Sequence, residues 1–274
     1  MLAIRQSSNL YEYSLNNPNK YIDPLGKDVW LVHGTTFRND EPNAGPNHWS
    51  EDFRLEIGEF FGQNVNVPDW AGGNSRGDRL SGAEELVAQI RSAHLVNPNE
   101  PIRIVGYSHG VNVAISAINM LADQCGIHVD TLITIGTPSR NQYRLNVNVG
   151  QHLNVFNSRD EVQIIGGTDF PWQDDRGFWS GLRDNFIGFG GRTQPGANNI
   201  EVFTGVGGFW DLRAYFDHNH SFMHSNWEIW EQYIIEHLRI NETSSSRGGI
   251  LSLLNFVLNR ALESLLFTDR TECD

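Results

Sequence analysis

The fold is decided by the stretch PIRIVGYSHGVNVAISAINML, residues 101–121. Its first five residues are rich in β-branched side chains, which predicts a short buried strand. Residues 111–121 are long enough for a helix and rich in small side chains. The five residues between, 106–110, fit the pattern G-x-S-x-G. In the order strand, G-x-S-x-G, helix, this pattern predicts a sharp turn that holds a reactive serine above a sheet.

Ser108 is therefore the candidate nucleophile. The chain is crowded at such a turn, and Gly106 and Gly110 leave out the side chains that would clash there. The N-terminus of the following helix favours negative charge that develops beside the serine.

Strand and helix signals alternate along the rest of the chain from residue 28. Ser81-x-x-Glu84 and Ser225-x-x-Glu228 have the form of capping boxes that open two of the helices. This order predicts an α/β fold with a mostly parallel sheet covered by helices on both faces, and a site at the carboxyl edge of the sheet. Strands are predicted at 28–32, 64–67, 101–105, 129–135, 152–156 and 199–203, and helices at 49–61, 81–94, 111–121 and 227–238.

Composition excludes some functions. The 274 residues carry a formal net charge of −13, and Lys and Arg do not cluster. A nucleic-acid partner is therefore not expected, because phosphate binding needs clustered cations. Neither cysteine has a C-x-x-C neighbour, and the sequence predicts no metal and no cofactor. A metal site at Asp217-His218-Asn219-His220 with His224 is the disfavoured alternative, because this spacing matches no structural zinc pattern.

A nucleophilic serine needs a histidine base and an orienting acid. Asp160, just past the strand at 152–156, is the favoured acid, and Glu161 and Asp169 are weaker candidates. The base should lie in the histidine-rich loop 217–225.

Residues 28–240 resemble the lipase-like α/β-hydrolase superfamily, in which the order along the chain is Ser, Asp, His. Members often carry His-Ser, then Asn six residues after the histidine and Trp near the tenth. His220-Ser221, Asn226 and Trp230 fit this frame, so the resemblance favours His220 over His224 and His218. It also relates His33-Gly34 to a lipase motif, which implies an oxyanion hole made by the N–H groups of Thr35 and His109.

The first 27 residues have a different character. Residues 9–26, NLYEYSLNNPNKYIDPLG, strongly resemble the end of the repeat core of Rhs (YD-repeat) proteins. The resemblance implies that 1–27 close an encapsulating repeat core and that 28–274 form an effector toxin domain, with Asp23 at the matching self-cleavage position. It further implies secretion, delivery into a target bacterial cell and a cognate immunity protein.

Two segments could set substrate choice. Residues 166–216 are rich in glycine and aromatic residues and form either a lid or acyl-chain wall, or a loop with its own small core. Residues 250–267 predict an apolar helix that packs on the core, with bilayer or partner contact as the alternative.

The leading hypothesis is a serine esterase of the lipase or phospholipase type that acts on membrane lipids as an antibacterial effector. A serine peptidase or amidase on the same fold is an alternative, because the triad does not choose between esters and amides. A non-enzymatic interaction domain is the alternative from another class.

Overall fold

The computed structural model describes residues 28–35, 49–73, 75–140, 142–160, 162–163, 191–203, 220 and 223–242. The strands are β1 (Asp28–Val32), β2 (Asn64–Asn66), β3 (Arg103–Tyr107), β4 (Thr131–Ile135), β5 (Gln151–Phe156) and β6 (Asn198–Glu201). The helices are α1 (Glu51–Phe61), α2 (Arg76–Val96) and α3 (His109–Met120), which continues into a π-helical turn, Leu121–Cys125. The last helix of the described residues, called the C-terminal helix below, follows in three consecutive segments, Trp227–Ile229, the π-helical Trp230–Ile234, and Ile235–Glu242.

The six strands form one sheet in the order β2-β1-β3-β4-β5-β6, and every neighbouring pair is parallel. This confirms the predicted fold class. Because the strands are parallel, their carboxyl ends share one edge, and the loops that follow β1, β3, β4 and β5 meet there.

Apolar side chains alternate along the strands and fill two separate cores. Leu31 of β1 faces one core, together with α1 and the C-terminal helix. Val32, the next residue, faces the other core, together with α2 and α3. Alternation of this kind places helices on both faces of the sheet, and buried parallel strands need that cover.

Two helix caps differ from the sequence prediction. Helix α2 begins before Ser81-x-x-Glu84, because the capping box is formed by Ser75 and Asp78. The Ser75 hydroxyl accepts from the Asp78 N–H at 3.1 Å, and the Asp78 carboxylate accepts from the Ser75 N–H at 3.1 Å. The C-terminal helix starts at Trp227 as predicted, but its cap is Asn226, whose side chain accepts from the Ile229 N–H at 3.2 Å.

Strand β3 begins later than predicted and runs through Gly106 to Tyr107, so the ladder reaches the turn itself. The predicted segments 1–27 and 250–267 lie outside the described residues, as does most of 166–216. Within that last segment, residues 191–203 are described, and they include β6. In the part of the chain that the structure describes, no helix has the length and apolar character to cross a membrane.

Strands β4 and β5 carry a cluster of buried polar side chains. The Thr134 hydroxyl donates to Asn154 Oδ1 at 2.8 Å and lies 3.4 Å from His152 Nε2. Asn154 Nδ2 donates to the Arg192 carbonyl oxygen and to Asn199 Oδ1, which ties β5 to the segment that carries β6. Burial lowers the pKa of His152 from 6.5 to about 4, because desolvation disfavours the imidazolium.

The free energy of unfolding should therefore fall as the pH is lowered from 7 to 4.5. The unfolded chain protonates His152 near pH 6.5, while the folded chain resists protonation until about pH 4. His152 should cost about 2–3 kcal/mol of stability across this window. Urea unfolding of the wild type and of His152→Gln at several pH values measures the effect. The glutamine variant replaces the ring N–H by an amide donor that does not titrate, so it should lose less stability on acidification. Equal losses in the two proteins would contradict the prediction.

Candidate active site

Ser108 sits on the turn that the sequence predicted. Its backbone has φ 52° and ψ −128°, and among the described residues it is the only non-glycine residue with positive φ. The Ser108 N–H donates to the Ile135 carbonyl oxygen at 2.8 Å, so the ladder with β4 extends to this residue. Helix α3 begins at the next residue, His109. An L-residue adopts such a backbone only where the surrounding structure imposes it.

Glycines allow the chain to pack tightly around the serine. A Cβ on Gly110 would overlap the backbone carbonyl groups of Val32 and His33 at the end of β1. A Cβ on Gly34 would lie 2.9 Å from the Ser108 Cβ. The first turn of α3 therefore packs directly against the end of β1, and the loop after β1 packs directly against Ser108.

The structure brings the three predicted triad residues together. His220 Nε2 lies 3.1 Å from Ser108 Oγ, and His220 Nδ1 lies 2.7 Å from Asp160 Oδ2. His220 is 60 positions from Asp160 and 112 positions from Ser108 in the chain, and all three residues are buried. An imidazole that reaches a hydroxyl with one nitrogen and a carboxylate with the other has the geometry needed for general-base catalysis.

Main-chain hydrogen bonds hold Asp160. Its Oδ1 accepts from the N–H groups of Val162 and Gln163 at 3.0 and 3.3 Å. Its own N–H donates to the Asn157 carbonyl oxygen at 3.0 Å, which closes the turn after β5. With Oδ1 occupied by the loop, Oδ2 is directed to His220, and the carboxylate is fixed in orientation as well as in position.

Two neighbours define the place of His220. Gly136, with φ 59°, lies beneath the imidazole, and a Cβ there would be 3.4 Å from the ring. The Tyr107 ring is tilted against His220 at a centroid distance of 5.1 Å.

His224, a weaker candidate for the base, stacks on the same Tyr107 ring at a centroid distance of 4.1 Å and an angle of 14°. In this position the His224 side chain serves as an aromatic packing partner of Tyr107. The remaining candidates for the base and the acid, His218, Glu161 and Asp169, lie outside the described residues.

The two predicted oxyanion donors are neighbours in space. The His109 N–H belongs to the first turn of α3. His33 Nδ1 donates to the Gly34 carbonyl oxygen at 2.8 Å. In a trans peptide, the N–H points away from the carbonyl group, so this bond fixes the direction of the Thr35 N–H. Thr35 Oγ1 lies 2.6 Å from His109 Nδ1, which links the loop after β1 directly to the first turn of α3.

Stacking against Trp70 keeps His33 in place. The two rings are 5.2 Å apart at an angle of 22°, and Trp70 Nε1 donates to the His33 carbonyl oxygen at 3.0 Å. The indole thus supports the loop after β1 through both its face and its N–H group.

Two contributors were not predicted. Gln163 Nε2 donates to the Thr137 carbonyl oxygen at 3.0 Å and thereby joins the acid loop to the loop after β4. Arg140, in that same loop, reaches His109 Nε2 with Nη2 at 3.3 Å. Arg140 lies a few residues past the strand predicted at 129–135, and this position is the only signal that the sequence offered for it.

Among the described residues, no group of three or more His, Cys, Asp or Glu side chains is arranged to hold a metal ion. Of the residues in the disfavoured metal site, only His220 and His224 are described. His220 is engaged by Ser108 and Asp160, and His224 is stacked on Tyr107.

Comparison with known proteins gives distant structural likenesses. Lysin B from mycobacteriophage D29 is 20% identical over 41% of this chain and 46% of that one, with a TM-score of 0.31. Aspergillus fumigatus lipase B is 12% identical over 48% of this chain and 37% of that one, with a TM-score of 0.32. A 2-hydroxy-6-oxo-6-phenylhexa-2,4-dienoate hydrolase from Rhodococcus sp. strain RHA1 is 14% identical over 79% and 92%, with a TM-score of 0.36.

This chain spans less than half the length of the lysin and of the lipase. No protein-family model and no curated protein matches the sequence.

The chain has the α/β-hydrolase fold. The sheet order and the strand–serine–helix turn carry this assignment, because the structural likenesses are distant. The fold alone does not define a reaction, since α/β-hydrolases host several chemistries.

Gly110→Ala should destabilise the protein by about 3 kcal/mol or more, because the new methyl group would overlap rigid backbone rather than a movable side chain. Thermal and urea unfolding measure the loss. Gly77→Ala is the matched control, because Gly77 is exposed in the first turns of α2 and a Cβ there meets only Ser75 Oγ at 3.7 Å. It should be neutral or slightly stabilising. Wild-type stability in Gly110→Ala would show that α3 is not pressed against β1.

Proposed function

We propose that this protein is a serine hydrolase that cleaves carboxylic esters, of the lipase or phospholipase type. The observation that carries the proposal is the contact of His220 with both Ser108 and Asp160, at 3.1 and 2.7 Å, on a serine with φ 52° at the start of a helix. This backbone conformation is costly, and strained residues of this kind concentrate at functional sites.

The proposed reaction follows from these positions. His220 Nε2 takes the proton of the Ser108 hydroxyl as Oγ attacks the ester carbonyl carbon. Asp160 accepts the hydrogen bond from Nδ1–H and stabilises the imidazolium that forms. The N–H groups of Thr35 and His109 bind the oxyanion of the tetrahedral intermediate. The imidazolium then protonates the leaving alcohol, and a water molecule hydrolyses the acyl-enzyme in the same way.

A lipid ester is the proposed substrate. Its support lies in the sequence, where the His33-Gly34 loop and the spacing of His220, Asn226 and Trp230 are similar to those of lipases. In the structure Asn226 caps the C-terminal helix, and Trp230 Nε1 donates to the His224 carbonyl oxygen at 3.3 Å. The residues of that spacing therefore shape the loop that carries the histidine, which gives the pattern a physical basis.

We further infer that the hydrolase is an antibacterial effector that is released from an Rhs repeat core, acts on membrane lipids in a target cell and is neutralised by an immunity protein. Support for this context is the sequence of residues 9–26 alone. The existence of an immunity protein is tested by co-purifying this protein with the products of the genes next to its own. Co-expression that fails to relieve toxicity would contradict this role.

Ser108→Ala should abolish ester hydrolysis, with a loss of kcat of about 10⁶ if the triad acts as a unit. Release of nitrophenol from short-chain esters measures the rate, and labelling by a fluorophosphonate measures the reactivity of the serine. The matched control is Ser116→Ala on the same helix, where the hydroxyl donates to the Asn112 carbonyl oxygen. Hydrolysis by folded Ser108→Ala would refute the proposed nucleophile.

Lipid and amide substrates distinguish an esterase from a peptidase or amidase. Incubation with defined phospholipids and neutral lipids, with products identified by mass spectrometry, should show released fatty acid. Cleavage of peptide amides in preference to lipid esters would support a peptidase or amidase. A folded wild type that neither reacts with the fluorophosphonate nor hydrolyses any of these substrates would support an interaction domain.

His220→Ala should be as damaging as Ser108→Ala, because proton transfer needs a base within about 3 Å of the serine oxygen. His224→Phe should remain active, because a phenyl ring preserves the stack on Tyr107 and removes only the titratable nitrogens. Kinetics on a water-soluble ester, with unfolding curves for both variants, measure the difference. An inactive His224→Phe together with an active His220→Ala would transfer the role of base to His224.

A further inference from the structure

The imidazole of His109, the residue after the proposed nucleophile, joins two loops. Its Nδ1 lies 2.6 Å from Thr35 Oγ1 in the loop after β1, and its Nε2 lies 3.3 Å from Arg140 Nη2 in the loop after β4. The side chains of His109 and Arg140 are both buried. The ring therefore bridges a hydroxyl and a guanidinium at the carboxyl edge of the sheet.

The guanidinium decides where the proton of this ring lies. Arginine is always charged and has only donors, so His109 Nε2 must present its lone pair to Arg140. The neutral ring then carries its proton on Nδ1 and donates it to Thr35 Oγ1. As a result, the Thr35 hydroxyl accepts from His109 and does not use its own proton in this contact.

We propose that Arg140 and His109 are positioning residues of the oxyanion hole, and that they turn the Thr35 hydroxyl into a third donor beside the N–H groups of Thr35 and His109. This inference rests on the proposed function. His109 supplies a backbone donor and a side-chain clamp at once. The clamp links the loop after β1 to the first turn of α3, although Thr35 and His109 are 74 positions apart in the chain.

Preorganisation explains what such a clamp contributes. An oxyanion hole accelerates a reaction only if its donors are already aimed before charge develops. The Thr35 N–H is aimed by the bond from His33 to the Gly34 carbonyl oxygen, and the His109 N–H is aimed by α3. The contact between the Thr35 hydroxyl and the His109 ring fixes the distance between the two N–H groups. Arg140 holds the ring proton on Nδ1, and this proton makes the contact.

Nuclear magnetic resonance tests the proton arrangement without any substrate. Long-range ¹H–¹⁵N spectra of ¹⁵N-histidine protein, with His109 assigned through His109→Gln, should show a ring protonated on Nδ1 and not on Nε2. Arg140→Met should convert it to a mixture of tautomers, and Arg140→Lys should retain the wild-type pattern because lysine also has only donors. A wild-type ring protonated on Nε2 would overturn the proposal.

Kinetics tests the role of the hydroxyl. Thr35→Val should lower kcat on a soluble ester by about 10 to 10² with little change in KM, because a transition-state donor is lost. Thr35→Ser should restore most of the rate, since the hydroxyl returns. Arg140→Met should lower kcat by roughly five- to tenfold, the size of one hydrogen bond, and Arg140→Lys should recover it. Unfolding curves verify that each variant is folded.

The outcomes separate this inference from the proposed function. If the wild type is labelled by the fluorophosphonate and hydrolyses esters, but Thr35→Val and Arg140→Met keep the wild-type kcat, the positioning role is wrong and the hydrolase remains. A wild type that is neither labelled nor active would overturn the proposed function, and with it the catalytic role of the hydroxyl.

Discussion

The close contact between the first turn of α3 and the end of β1 is the constraint on which the site depends. Gly110 lies against the carbonyl groups of Val32 and His33, and Gly34 lies against Ser108. Only hydrogen atoms fit in these spaces. Ser108 has its positive φ at this contact, and the loop after β1 lies beside the serine. The strained backbone of Ser108 and the close approach of the loop after β1 to α3 therefore occur at the same place.

The parallel sheet supplies the remaining parts of the site. Ser108 follows β3, and Asp160 lies just beyond the end of β5, with β4 between the two strands in the sheet. A space the width of one strand thus separates the two side chains at the edge. The imidazole of His220 fills it, above Gly136 at the end of β4. Parallel pairing, rather than proximity along the chain, makes this contact possible.

Short sequence patterns predicted a residue's role where that role depends on residues adjacent to it in the chain. Ser108 could be predicted because strand, turn glycines and helix are all adjacent to it, and Asp160 because it follows a recognisable strand. Ser81-Gly82 was taken for a helix start, and this was wrong. Gly82 lies inside α2, where a Cβ would be 3.0 Å from the Cβ of Trp70. Its glycine serves close packing, which a sequence pattern does not distinguish from capping. Arg140 could not be assigned a role, because its contact with His109 depends on the distance between the loop after β4 and α3.

Two rows of hydrogen-bonded side chains meet at the turn that carries Ser108. In the first row, Asp160 contacts His220 and His220 contacts the Ser108 hydroxyl. Main-chain N–H groups hold the carboxylate of Asp160. In the second row, Arg140 and His109 lead to the Thr35 hydroxyl. In each row, the group at the far end, a carboxylate or a guanidinium, selects the tautomer of an imidazole, and the imidazole orients a hydroxyl. Both imidazoles thus have their Nδ1 protonated, one toward an acid and one toward an oxygen acceptor. A buried hydroxyl group can rotate unless a neighbour fixes it, so Asp160 and Arg140 orient the Ser108 and Thr35 hydroxyl groups through the two imidazoles.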